Sequence, residues 1–135
     1  MKIHARESGH LTLHLTGPSL ASRLPGVRRR ISAWAGALGM ASEVVEDLVL
    51  ATHEALANVA DHAYPDGDGE AWVEALCQPP GMLTVVVRDR GRWRPPPEDP
   101  GRRGHGMAII RGLAERVVIR RGDLGTTVEM RWMLA

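Results

Sequence analysis

The stretch from Ser42 to Tyr64 reads as one long helix, and it sets the terms for the rest of the chain. Counted at about 100° per residue from Val45, an apolar stripe runs through Leu48, Val49, Thr52, Leu56, Val59 and Ala63. Glu54 and Asn58 fall on the opposite side, one turn apart, with His62 a further turn along at the edge of that face. A carboxylate and a carboxamide stacked this way can serve one bound ligand. Glu54 can take a proton or orient a nucleophile, and the hard amide oxygen of Asn58 suits Mg²⁺. On the helix alone, a solvated polar face explains the same pattern equally well. Ser42 is placed to cap the helix, and Glu43, Glu46 and Asp47 suit the positive end of its dipole.

With 135 residues, the chain reads as a single domain over 1–135, large enough to bury a real core. A hydrophobic fraction of 44% and a charged fraction of 24% are those of an ordinary soluble domain. The net charge of +1 gives no electrostatic case for direct nucleic-acid binding. Sixteen of the basic residues are arginine, Lys2 is the only lysine, and phenylalanine is absent, a bias of genome composition rather than of function. Cys77 stands alone, which excludes a disulfide framework and a cysteine metal site. No apolar run approaches the roughly 18 residues of a membrane span, and the N-terminus has no signal-peptide features. No membrane partner is expected, and a cytoplasmic location is.

Ahead of the long helix, residues 10–16 alternate strictly. Leu11, Leu13 and Leu15 face one way and His10 and His14 the other, as in a half-buried strand ended by Gly17-Pro18. A helix follows from about Leu24 to Leu38, with Val27, Ile31, Trp34 and Leu38 on one face, Arg28, Arg29 and Arg30 largely off it, and Gly39 closing it. Beyond Tyr64, Pro65 to Gly69 makes a tight connection. Two strands then span 70–78 and 82–89. The second is more uniformly apolar and therefore more central. Asp89 shares the parity of Leu83, Val85 and Val87, so a carboxylate ends that strand pointing inward, a costly placement unless something hydrogen-bonds it.

After Asp89 the prolines and glycines of 90–103 exclude a helix or a central strand, and a loop of this length in a compact domain marks a lid or binding loop. Gly104-His-Gly106-Met107 opens a helix through Ile109, Ile110 and Leu113. Glycines at such a helix start let backbone N–H groups approach a phosphate, although the spacing lacks the third glycine of a dinucleotide fingerprint and the lysine of a P-loop. Two strands, 117–121 and 126–134, end the chain around Gly122 to Gly125. Thr126 shares the apolar parity of Val128, Met130 and Trp132.

Glu-x3-Asn on a helix, Asp-x-Gly after a strand, Gly-x-Gly opening a helix and Gly-Thr before the last strand occur in one order. Together they resemble the histidine-kinase-like (Bergerat-fold) ATPase superfamily of sensor kinases, gyrase-type topoisomerases and a heat-shock chaperone family. Glu54-Ala-Leu-Ala-Asn58-Val-Ala-Asp-His62-Ala-Tyr64 is more specifically similar to the anti-sigma-factor serine kinases of bacterial stress and sporulation switches. The resemblance implies ATP and Mg²⁺ as cofactors. It makes Asn58 the Mg²⁺ ligand, Asp89 the acceptor for the adenine amino group, Gly91 a point of close backbone approach and Thr126 a further adenine contact. Residues 92–103 become the ATP lid, Gly104 and Gly106, with Met107 after them, lie at the phosphates, and Arg102 or Arg103 approaches the γ-phosphate. Glu54 becomes the base for a partner's serine hydroxyl, while His62 and Tyr64 match structural positions. Trp93 stands where many relatives carry a second glycine.

By the same resemblance the partners are a sigma factor and an anti-sigma-factor antagonist (a STAS-domain protein), and the chain is a homodimer acting in transcription regulation. Two activities remain open: a Ser/Thr protein kinase, or an ATP-dependent binding switch with little phosphotransfer. A sensor histidine kinase is disfavoured, because no proline follows His53-Glu54 and no dimerisation hairpin fits this length. The expected fold is a two-layer α/β sandwich, a mixed and mostly antiparallel sheet with helices on one face.

Overall fold

The computed structural model describes residues 2–7, 9–64, 68–91 and 106–134, without the side chains of residues 2–7 and of His62. Among the described residues, six strands form one sheet: β1 (Lys2–Glu7), β2 (His10–Gly17), β3 (Gly69–Gln78), β4 (Met82–Asp89), β5 (Arg116–Gly122) and β6 (Gly125–Met133). The order across the sheet is β1-β2-β3-β4-β6-β5. Every pairing among the described residues is antiparallel, which sharpens the mixed sheet expected from sequence. Among the described residues, three α-helices, α1 (Leu24–Ala37), α2 (Ser42–Asn58) and α3 (Gly106–Leu113), complete the two-layer α/β arrangement.

The alternation read from sequence places the core. Leu11, Leu13 and Leu15 of β2, Ala71, Val73 and Ala75 of β3, Leu83, Val85 and Val87 of β4, and Val128, Met130 and Trp132 of β6 are all buried. Their alternate neighbours are half-buried or exposed, so the helices cover one face only. β4 lies between β3 and β6, the central position its apolar run calls for. β1 escapes the sequence pattern because its six residues carry only Ile3 and Ala5 as apolar alternates, and as an edge strand it has one partner, β2.

Helix α1 begins with Pro25 in its first turn, where a missing N–H costs nothing. It buries Leu24, Val27, Ile31, Trp34 and Ala35 and ends in a Schellman motif. Gly39, at φ 78°, donates its N–H to the Gly36 carbonyl, and Met40 donates to Ala35. Helix α2 starts one residue earlier than a Ser42 cap requires. The Ala41 carbonyl already accepts from Val45 N–H, so Ser42 is the first helical residue and makes no side-chain cap. The α-helix also stops at Asn58 rather than Tyr64, and Val59–Ala63 continues as a π-helical turn. No described helix is long and apolar enough to cross a membrane.

Burial divides two leucines sharply. Leu13 is fully buried, whereas Leu124 at the β5–β6 turn is 89% exposed. Leu13→Ala should lower unfolding free energy by about 2–5 kcal/mol. Leu124→Ala should change it by less than about 0.5 kcal/mol. Denaturant melts of both proteins check this, and equal losses would contradict the placement of the core.

Candidate functional site

Strand β4 carries its inward alternation through Leu83, Val85 and Val87 to its last residue, and thereby turns Asp89 toward the helices. Asp89 is only 5% exposed. Across the sheet it pairs with Ala71 on β3 and Thr126 on β6, the latter 4% exposed. Its Oδ1 accepts the Gly91 N–H at 2.9 Å, so a carboxylate that is costly to bury has a donor two residues along the chain. The hairpin between β5 and β6 closes on the same spot. Gly125 has φ 128°, and a Cβ there would stand 1.9 Å from the Asp89 carbonyl oxygen.

The end of α2 meets this strand end. Asn58 is the last α-helical residue, just before the π turn, a distortion often found at functional sites. It is 4% exposed, and its Nδ2 donates to the Met107 Sδ on α3 at 3.3 Å. The helical wheel put Asn58 on a face away from the core. In the structure α3 packs on that side, and Ala51 and Ala55 are buried along with it. Because the amide uses its nitrogen toward sulfur, the carbonyl oxygen is the hard donor presented by this residue. Beyond Asn58, the π turn touches Gly91 so closely that a Cβ on Gly91 would lie 2.0 Å from the Ala63 carbonyl oxygen. The Tyr64 hydroxyl accepts the Arg90 N–H at 3.0 Å and donates to the Glu70 carbonyl oxygen, tying β3 and β4 to the end of the turn.

Asn58, Asp89, Gly91, Met107 and Thr126 are thus gathered at one end of the helix–sheet interface by these contacts. Glu54 sits one turn before Asn58, half-buried, in a groove of about 820 Å³ between α1 and α2 that Arg28 and His53 also line. Arg28 Nη1 lies 2.9 Å from His53 Nδ1. Gly106 starts α3, where its backbone stands at the positive end of the helix. Arg102, Arg103, Gly104, Trp93 and the rest of the 92–103 segment lie outside the described residues, as does the side chain of His62. The sequence marks Gly125 in the Gly-Thr pair before the last strand and Ala63 on the apolar stripe, but not the close approaches they make, because contact between distant segments leaves no periodic signal. The glycines were the available hint, since both Gly91 and Gly125 occupy positions where a side chain does not fit.

An inward carboxylate and a carboxamide lie between the sheet and its helices, with two glycines keeping the walls close. A carboxylate has about four lone-pair sites, so accepting from Gly91 leaves capacity for an amine donor. The donor set therefore fits a purine base and one hard-metal contact. The chain matches the family model for the histidine kinase-like ATPase domain over residues 17–132, and it belongs to that family. It is 30% identical over 92 residues to the serine-protein kinase RsbW of Halalkalibacterium halodurans, a match covering 68% of this chain and 53% of that protein. The match thus spans about half the length of that curated relative. Among solved structures, that of the RsbU and RsbW domains of Rv1364c from Mycobacterium tuberculosis superposes with a TM-score of 0.72 at 25% identity, over 91% of this chain and 32% of that one. The blue-light-activated histidine kinase EL346 of Erythrobacter litoralis shares the fold with a TM-score of 0.58 at 23% identity, over 84% of this chain and 40% of its own.

The Gly91 contact yields a direct expectation. Gly91→Ala places a methyl group against the Ala63 carbonyl, and relief requires the π turn or the strand end to shift. Stability should fall by about 1–3 kcal/mol, as for other overpacked positions. An unchanged thermal midpoint would mean that the two segments are not in contact.

Proposed function

We propose that this chain is an ATP-binding anti-sigma factor and protein serine/threonine kinase, which binds a sigma factor and phosphorylates a serine or threonine of an anti-sigma antagonist. The observation that carries the reading is the cluster of buried polar residues, Asn58, Asp89 and Thr126, joined through Gly91 at one end of the helix–sheet interface. Similarity to the serine-protein kinase RsbW and to the RsbW domain of Rv1364c supports it. The antagonist is expected to be a STAS-domain protein, the active form a homodimer, and the setting a cytoplasmic stress-response circuit controlling transcription.

In this reading Asp89 accepts from the adenine amino group, Thr126 contacts the same base, and Gly91 keeps the backbone close to it. The Asn58 oxygen would hold Mg²⁺. Gly104, Gly106 and Met107, with Arg103, would lie along the phosphates. ATP supplies the phosphoryl group, and Mg²⁺ offsets the charge on its oxygens. The protein's own chemical contribution falls to Glu54, whose carboxylate takes the proton of the partner's hydroxyl. A serine hydroxyl is a weak nucleophile until its proton has a destination, and positioned acid–base help contributes about 10²–10⁴-fold. One observation favours a second reading, an ATP-dependent binding switch: Glu54 lines the groove between α1 and α2 and lies outside the buried cluster.

Two substitutions test these roles. Asp89→Asn can present an NH₂ where an acceptor is needed, and a hydrogen bond to a charged group is worth about 1.5–3 kcal/mol. ATP affinity should therefore drop about tenfold to hundredfold. Calorimetry showing wild-type affinity in the folded variant would remove Asp89 from the site. Glu54→Gln keeps shape and helix propensity but not the base. ATP and partner binding should survive while transfer of labelled phosphate to the antagonist falls by about 10²–10⁴-fold. Transfer near the wild-type rate would exclude Glu54 as the base. A wild-type protein that binds its partner with ATP yet transfers no phosphate would establish the switch reading instead.

A further inference from the structure

The ladder between β3 and β4 ends at the pair Ala71–Asp89, although β3 itself reaches back to Gly69. One step further in the same register, Glu70 stands opposite Arg90. An antiparallel ladder can close such a rung by a direct bond between backbone N–H and carbonyl. Here the Tyr64 hydroxyl stands in the rung instead. It accepts the Arg90 N–H at 3.0 Å and donates to the Glu70 carbonyl oxygen. A phenol suits this place because its one oxygen both accepts and donates. Two hydrogen bonds in series replace a single one of about 2.9 Å, so a side chain holds this end of the strand pair open.

The phenol is itself held in place. Tyr64 is half-buried, and its ring lies against the Gly69 backbone, where a Cβ would come within 2.6 Å of the ring. It follows directly on Ala63, whose carbonyl oxygen is the atom that approaches Gly91. Arg90 is fixed from other sides as well. Its guanidinium lies 4.8 Å from the Trp72 ring centroid, a cation–π contact across the outer face of the sheet. Its Cα lies 2.8 Å from the point where a Cβ on Gly125 would stand. Residue 90 is thus tied by its N–H, its Cα and its side chain to three different segments.

What this does for the site follows from the two peptide planes that flank Arg90. One carries the Arg90 N–H and joins it to Asp89. The other carries the Gly91 N–H, which Asp89 Oδ1 accepts at 2.9 Å. The first plane fixes the backbone from which the carboxylate springs, and the second supplies the donor that orients it. Any bond between the π turn and the sheet would staple the two together, but the Tyr64 hydroxyl bonds the N–H next to Asp89. We propose that Tyr64 is a positioning residue of the adenine site: its hydroxyl, inserted between Arg90 and Glu70, sets the direction in which Asp89 presents its carboxylate to the base. The inference rests on the reading of Asp89 as the adenine acceptor. In Tyr64→Phe the two backbone groups close on each other or take up water, and either change shifts the segment from Asp89 to Gly91.

The test is calorimetry of ATP and of adenosine on the full chain, in wild type, Tyr64→Phe, Asp89→Asn and the double variant, well below their melting temperatures. Tyr64→Phe removes one oxygen and keeps the ring. Both ligands should bind it about three- to tenfold more weakly, as for the loss of one hydrogen bond, and by the same factor, because the effect lies at the base. In the Asp89→Asn background the same substitution should cost little more, since the group it positions is already lost. Equal losses in the two backgrounds would make Tyr64 structural only and overturn the proposal, as would wild-type affinity in a folded Tyr64→Phe protein. Wild-type affinity in Asp89→Asn would instead remove the adenine site, and this inference with it. Tyr64 is the only tyrosine, so 3-fluorotyrosine labels this position alone and keeps the hydroxyl. Its single fluorine resonance should shift saturably with adenosine. A resonance unmoved at saturation would overturn the proposal even where Tyr64→Phe fails to fold.

Discussion

The contact between Gly91 and Ala63 is the constraint on which the site depends. A backbone carbonyl at the end of the π turn occupies the space in which any larger residue at position 91 would place its Cβ. That approach pins the end of α2 to the end of β4, and with it brings Asn58 and Asp89 to the same end of the interface. Gly125 repeats the device from the other side, with its backbone against the Asp89 carbonyl. Two glycines thus draw three separate segments of chain together. The Tyr64 hydroxyl then links Arg90 to Glu70, so the strand end beyond Asp89 is held from β3 as well.

Burial of helix α2 follows from the same geometry. One side packs with α1 over the sheet, and another is covered by α3, which carries Met107 to Asn58. A residue that looks polar and outward on a helical wheel is in fact enclosed, and an enclosed carboxamide has its orientation chosen by its neighbours. Glu54, one turn earlier, stays half-buried beside the α1–α2 groove. The helix therefore grades from a partly solvated carboxylate to a buried amide within a single turn.

Division of labour between the two faces of the sheet is set by strand pleating. Asp89 and Thr126 point to the helical side and are buried, while Arg88 and Thr127, one residue away on each strand, point outward. Adjacent residues on the same two strands consequently meet environments of opposite character, one enclosed and the other open.

Alternation and helical spacing are local properties, and what rests on them was readable from the sequence alone. The five strands after the first, the three helices, the burial of Leu11, Leu13 and Leu15, the central place of β4, and the inward direction of Asp89 and Thr126 all follow from period-two or period-3.6 patterns. β1 was not legible because its pattern is too short of apolar residues, and the Ser42 cap gave way because the Ala41 carbonyl already closes the first turn. Only the tertiary structure decided that Asn58 is buried against Met107, that Ala63 sits on Gly91, and that Arg88 meets Arg120 across β6. Each of those facts joins residues far apart in the chain. Their meeting depends on strand order and on the packing of α3, and no local periodicity encodes either one.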